Sequence, residues 1–186
     1  MKKRIYLITT IFLAFVMFSG CATPVETETS PQPTESLIAK IEAEDAGYGA
    51  IGSFENPDSE LEQMLIYAIQ DEYLARAEYE YLINELKADK PFTNIIKAEE
   101  KHISMLIPLF EKYGFDVPED TSSEHLISVT SITEALETGV QAEIDNIAMY
   151  EMFLERELPD DIRSVFIELR DGSKNHLSAF ERKLNR

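Results

Sequence analysis

At 186 residues, 44% of them hydrophobic, the chain is long and apolar enough for one packed domain with appendages. Its formal net charge is −18, from 17 Lys and Arg against 35 Asp and Glu. That balance argues against nucleic acid, which needs a basic face, and favours metal cations; no Gly-rich phosphate loop, G-x-S-x-G or H-E-x-x-H string occurs.

Residues 1–20 open on Lys2, Lys3 and Arg4 and continue as an apolar run from Ile5 to Phe18. This pattern predicts a secretory signal peptide, its apolar run being short for a spanning helix. It ends in Phe18-Ser19-Gly20-Cys21, which resembles a bacterial lipobox with Phe where Leu is commoner. Cys21, the single cysteine, is then the lipid attachment point. The mature chain is expected to be exported and lipid-anchored to the cell membrane on its extracytoplasmic face. Loss of the three leader cations takes the charge from −18 to −21. With no other Cys, disulfides, zinc–thiolate sites and rubredoxin-type iron are excluded.

Residues 22 to about 36, rich in Pro, Thr, Ser and Glu, predict an extended spacer. A short helix is expected around Leu37, Ile38 and Ile41, broken by Gly47, Gly49 and Gly52, and Asn56-Pro57-Asp58 reads as a turn. Residues 21–58 are therefore appendage, and 59–186 the folded unit. A first long helix is expected from a capping box, Ser59-x-x-Glu62, to about Asp89-Lys90-Pro91. Its stripe is Leu61, Leu65, Ala68, Glu72, Ala75, Tyr79, Leu82 and Leu86. The second helix carries Phe92, Ile95, Ile96, Glu99, His102, Ile103, Leu106, Leu109, Phe110 and Tyr113, with a kink expected at Pro108 and a stop at Gly114. Residues 114–130 lack sustained periodicity and are long enough to cross the bundle. A second capping box, Ser131-x-x-Glu134, opens the third helix, with stripe Ile132, Leu136, Val140, Glu143, Ile147, Tyr150 and Leu154. After Pro159, the fourth runs from about Asp161 to Leu184 with His176 near its middle.

Each stripe therefore holds a ligand-type residue near mid-helix: Glu72, Glu99 with His102, Glu143, and His176. Glu99 and His102, three apart, share one face, and that face is apolar. A buried carboxylate without a partner costs several kcal/mol, and like charges brought together raise one another's pKa unless a cation intervenes. The joint pattern predicts a metal site, and Glu-x-x-His projecting into a bundle is the form such sites take. The competing reading has Arg76 neutralising one carboxylate, with His102 and His176 bonding to backbone or Tyr hydroxyls. Glu72 lies about a turn further from the first link than His102 does, which leaves Tyr79 or Arg76 as candidates for the His102 level. His125 is expected at the surface, and Glu78, Glu80 and Glu100 on solvated faces. Asp145 is expected on a solvated face too, with a role behind the ligands as the alternative. Tyr79 and Tyr150 can donate to metal-bound carboxylates.

The strings Asp71-Glu72-Tyr73-Leu74-Ala75-Arg76, Asn94 to His102, Glu111-Lys112-Tyr113-Gly114 and Gly172 to Phe180 resemble the ferritin-like superfamily. Within it they are most similar to a family of ferritin-like proteins known as the domain of unknown function number 2202. The resemblance implies an all-α, ferritin-like four-helix bundle with a long crossover between helices 2 and 3. It also implies Glu72, Glu99, His102, Glu143 and His176 as metal ligands. One departure stands out: Ser173 occupies the place of the Glu in a second Glu-x-x-His. One or two ions of Fe or Mn suit this set, and Zn also fits.

Two functions follow as expectations. One is a metal-binding lipoprotein, of the di-iron or manganese carboxylate kind, that oxidises ferrous iron or reacts with oxygen or peroxide. The other is a non-enzymatic, surface-anchored bundle, with or without a structural metal. Expected partners are metal ions and the membrane; a homodimer is left open.

Overall fold

A computed structural model describes residues 34–44 and 47–186. The expected leader, Cys21 and most of the spacer lie outside the described residues. Among the described residues there are six α-helices and no strand: α1 (Glu35–Glu44), α2 (Gly49–Glu55), α3 (Leu61–Glu85), α4 (Phe92–Tyr113), α5 (Ile132–Leu154) and α6 (Asp160–Leu184). A 3-10 turn spans Ser122–Glu124. None of these helices is long and apolar enough to cross a membrane.

The four long helices form a bundle in which α3 lies along α4 and α5 along α6. Tyr79 and Leu82, near the end of α3, pack with Ala135 and Leu136, at the start of α5, so these two helices run in opposite directions. Phe92, opening α4, packs on Phe180, near the end of α6, with ring centroids 5.3 Å apart. The chain between α4 and α5 must therefore travel the length of the bundle. Two apolar layers result. One gathers Leu65, Ile69, Leu106, Phe110, Phe153 and Phe166. The other gathers Leu37, Ile41, Tyr79, Phe92, Val140 and Phe180. The buried residues of both clusters run from Leu37 to Phe180, so the chain from Thr34 onward carries this whole core.

Several boundaries differ from expectation. Ser59 does not cap α3: its Oγ donates to the Asn56 carbonyl, and Glu60 holds the N-cap position without a side-chain bond. The helix also ends early, at Glu85. Lys87 takes a left-handed conformation (φ 55°), and the Ala88 N–H closes back on the Leu82 carbonyl at 3.1 Å. That closure ends a helix as glycine would. Gly49 and Gly52 do not merely break α1; they sit within α2, against α3. A Cβ on Gly52 would stand 2.8 Å from the Tyr67 ring, so the missing side chain is what permits this close seat.

Other starts and stops agree. Ser131 caps α5, its Oγ accepting from Glu134 N at 3.1 Å, while the Glu134 carboxylate turns to Thr130 N at 2.7 Å. Gly114 is left-handed (φ 74°), and Phe115 N donates to Phe110 O at 2.9 Å. α4 runs on through Pro108.

Candidate metal centre

Between the two apolar layers lies a polar one. Glu72, Glu99, His102, Glu143 and His176 are each 2–7% exposed. Glu72 comes from α3, Glu99 and His102 from consecutive turns of α4, Glu143 from α5 and His176 from α6. His102 Nδ1 lies 3.0 Å from Glu72 Oε2 and 2.9 Å from Glu99 Oε2. His176 Nδ1 lies 3.1 Å from Glu99 Oε1 and 3.3 Å from Glu143 Oε1. Two triads result, each with ligand atoms mutually within 4.8 Å, and Glu99 belongs to both. The early end of α3 lengthens the link to α4, and that link absorbs the turn's offset between Glu72 and His102.

The two tyrosines cross the bundle. Tyr150 on α5 donates to Glu72 Oε1 on α3 at 2.8 Å, and Tyr79 on α3 donates to Glu143 Oε1 on α5 at 3.1 Å. Each tyrosine stands seven residues after the glutamate of its own helix, two turns along the same face. Glu-x₆-Tyr within an apolar stripe, at Glu72/Tyr79 and Glu143/Tyr150, is the signal that could have foretold this exchange; the same spacing at Glu60/Tyr67 begins outside the helix. Burial, and then the nearby carboxylates, hold both phenols well above their ordinary pKa, so they remain donors.

Charge here is strongly perturbed. Burial lifts the Glu72 carboxyl to about 8 against the pull of His102, and it raises Glu143 against His176. Burial pushes Glu99 the same way, but hydrogen bonds from both imidazoles win and hold it at about 2. For the imidazoles burial acts downward and is outweighed: Glu72 and Glu99 lift His102 to about 10, and Glu143 and Glu99 lift His176 to about 10.

Ser173 is not an idle gap. Its hydroxyl donates to Asn146 Oδ1 at 2.6 Å, and Asn146 Nδ2 donates to Asp71, which accepts the Ala50 N–H at 2.8 Å. This chain closes the side of the centre that a carboxylate at 173 would have filled. A cavity of about 10 Å³ remains among Glu72, Glu99, Glu143, Asn146 and Ser173, the scale of one water.

Two expectations are corrected. Arg76 neutralises none of the central carboxylates; it pairs with Asp120 at 2.6 Å on the flank. Glu78 is not solvated but buried, because the crossover chain lies over it and Ile127 N–H bonds its carboxylate. Burial, then Asp71, lifts it to about 8. Asp71 itself, which sequence reasoning passed over, is raised to about 7 by loss of solvent. Glu80 and Glu100 are exposed as expected, and Asp145 accepts two bonds from Gln141 Nε2 at 3.0 Å. His125 is half-buried and stacks on Tyr48 at 4.0 Å.

Glu78 gives a test of these shifts. Its carboxyl titrates higher in the fold than its ordinary 4.5, so the folded state holds that proton more tightly. The stability this confers is complete below about pH 4.5 and is lost as the pH rises through 8. Glu78→Gln should therefore raise the melting temperature at pH 8.5 by several degrees, about 1–2 kcal/mol, and change little at pH 4.5. An equal gain at both pH values would show that Glu78 is not held neutral by the fold.

Residues 61–186 match the family described as "Uncharacterized protein domain (DUF2202)". The chain belongs to this family. A relative, the uncharacterized protein MJ0754 of Methanocaldococcus jannaschii, is 32% identical over 136 residues, covering 65% of this chain and 73% of its own. The crystal structure of hypothetical protein MJ0754 from Methanococcus jannaschii DSM 2661 is similar with a TM-score of 0.61 at 31% identity, covering 68% of this chain and 81% of that one.

Proposed function

We propose that this family member is an exported, lipid-anchored protein of the ferritin-like superfamily, holding redox-active divalent metal in the polar layer of its bundle. The observation that carries the reading is the sharing of Glu99 between two imidazole–carboxylate triads. His176 Nδ1 adds to it: it is buried 3.1 Å from Glu99 Oε1 and 3.3 Å from Glu143 Oε1, close to both carboxylates but well aligned with neither. A ring nitrogen converging with two carboxylate oxygens in a dry interior suits a cation. The donor set of three carboxylates and two imidazoles suits Fe or Mn, and Zn as well. The bundle-long connection between α4 and α5 supports the ferritin-like topology. Cys21 after the apolar leader is the basis for the anchor.

In this reading Glu99 joins two positions, Glu72 and His102 completing one and Glu143 and His176 the other. An ion held there would supply one-electron exchange with dioxygen or peroxide, with ferrous iron as the proposed substrate. Tyr150 and Tyr79 fix one oxygen of Glu72 and of Glu143, setting which lone pairs face inward. The apolar layers exclude bulk water, and the cavity beside Ser173 leaves room for one small ligand.

Without metal, the two imidazolium groups compensate Glu99 and its neighbours, and Glu72 holds its proton. That self-consistent charge state favours the second reading, a binding or structural bundle that folds with no metal. In either reading, any metal that binds must displace protons. Uptake should release protons, and affinity should rise steeply from pH 6 to 9 as His102, His176 and Glu72 give theirs up. Calorimetry in buffers of different ionisation enthalpy counts them. Adding ferrous iron under air and following absorbance then separates the readings: a dioxygen-dependent change supports redox handling, and bound metal that neither oxidises nor exchanges supports the structural module.

A further inference from the structure

One end of the bundle carries a basic groove in an otherwise acidic molecule. Lys90, Arg182, Lys183 and Arg186 line an open hollow of about 320 Å³ with Asn94, between the start of α4 and the end of α6. All four cations are exposed. Of the other described cations, Arg76, Lys101, Lys112, Arg156, Arg170 and Lys174 each pair with an acid, Lys40, Lys87 and Arg163 donate to backbone carbonyls, and Lys97 stands alone on the surface. Among the described residues the four in the groove have no such pair. Arg182 and Lys183 complement the carbonyl end of α6, but Lys90 precedes α4, whose first turn has no side-chain cap and adds positive potential. The nearest acids in sequence are Asp89, which accepts from Thr93 Oγ1 at 3.5 Å, and Glu181.

A second observation concerns where the described chain begins. α1 belongs to this same end layer: Leu37 and Ile41 are buried in one cluster with Leu82, Ala88, Phe92 and Phe180. α1, which opens the described chain, thus lies toward the end that bears the groove. Only 12 residues lie between Cys21 and Thr34, at most about 45 Å of chain.

We infer that this groove is a membrane-facing surface that docks anionic phospholipid headgroups. The orientation rests partly on the proposed lipid anchor, which brings this end within reach of a bilayer; the groove's own chemistry does not. The field of the molecule is polarised. Its acidic flanks are repelled by an anionic surface while the unpaired basic end is attracted, so docking orients the bundle upright and turns the acidic surface toward the medium.

The test uses the fragment Thr34–Arg186, which contains the core and lacks Cys21, so its outcome does not depend on lipidation. Flotation with phosphatidylglycerol-containing vesicles should show binding at low salt, lost at 0.5 M salt, and none with phosphatidylcholine alone. Arg182→Glu with Lys183→Glu should weaken it about tenfold or more, while Lys101→Glu with Lys174→Glu, on paired flank sites, should leave it intact. Circular dichroism checks that both remain folded. No binding to either vesicle, or equal loss in both variants, overturns the proposal. Saturable binding of inorganic phosphate without vesicle binding also overturns it and assigns the groove to a free anion. Failure of the anchor itself reads out separately, as full-length chain in cells that does not partition to membranes through Cys21.

Discussion

Glu99→Ala should strip the bundle of metal. Glu99 is the one carboxylate within 3.1 Å of both imidazoles, so its loss breaks both triads at once. Elemental analysis of the wild-type fragment should give about one or two Fe or Mn per chain, and of the variant none. Affinity should fall by more than about hundredfold, since even residues behind the ligands are worth 10–100-fold. Thermal melts give an independent reading. With free metal at about a hundred times Kd, binding adds about 2.7 kcal/mol, or roughly 5–10 °C for a domain of this size. That gain should vanish in Glu99→Ala and in the Glu99→Ala, His102→Ala double variant. It should persist in Glu100→Ala, whose side chain points to solvent. Equal metal content in wild type and variant would sink the metal reading and leave the five residues as a hydrogen-bonded polar layer.

Gly172→Ala should disable one half of the centre without touching a ligand. A Cβ at this position would stand 2.7 Å from His102 Nε2 and 2.8 Å from its Cε1. The α6 backbone cannot retreat, because Phe166, Leu169 and Phe180 on either side are fully buried. The imidazole must therefore turn, carrying Nδ1 away from Glu72 and Glu99. Metal affinity on that side should drop about 10–100-fold while the Glu143–His176 side keeps its geometry. Stoichiometry then falls by half if two ions bind. On an exposed helix the substitution would stabilise by about 0.8–1 kcal/mol, so a net loss of about 1–2 kcal/mol in the melt reports the clash. Unchanged affinity and a raised melting temperature would mean that the ring yields freely.

These two residues mark the limit of what periodicity reveals. Glu99 was readable because a carboxylate three residues before a histidine, on an apolar helical face, conflicts with burial unless something compensates it. The same conflict pointed to Glu72, Glu143 and His176. Gly172 carried no such signal, since a glycine within a helical stripe looks like a weak helix position until a neighbouring helix is laid against it. Asp71 and Glu78 were illegible for a related reason. Their burial is imposed by α2 and by the crossover chain around Ile127, segments whose courses leave no periodic trace.

Legible in the residues alone were the all-helical character, the four apolar stripes, the caps at Ser131 and Gly114 and the placing of a ligand-type residue in every stripe. Each of these is local: hydrophobic spacing and capping chemistry act within a few turns of one helix. Which residues meet was left to the packing of the helices. It set Glu72 beside His102, gave Glu99 to both triads, crossed Tyr79 and Tyr150 between α3 and α5, and filled the place opposite with Ser173, Asn146 and Asp71. It also sent Arg76 to Asp120 rather than to the centre. Register between helices depends on where Lys87 ends α3, on how long the link then becomes, and on how two apolar layers close from either side. Those are properties of the packed whole, and no single stripe contains them.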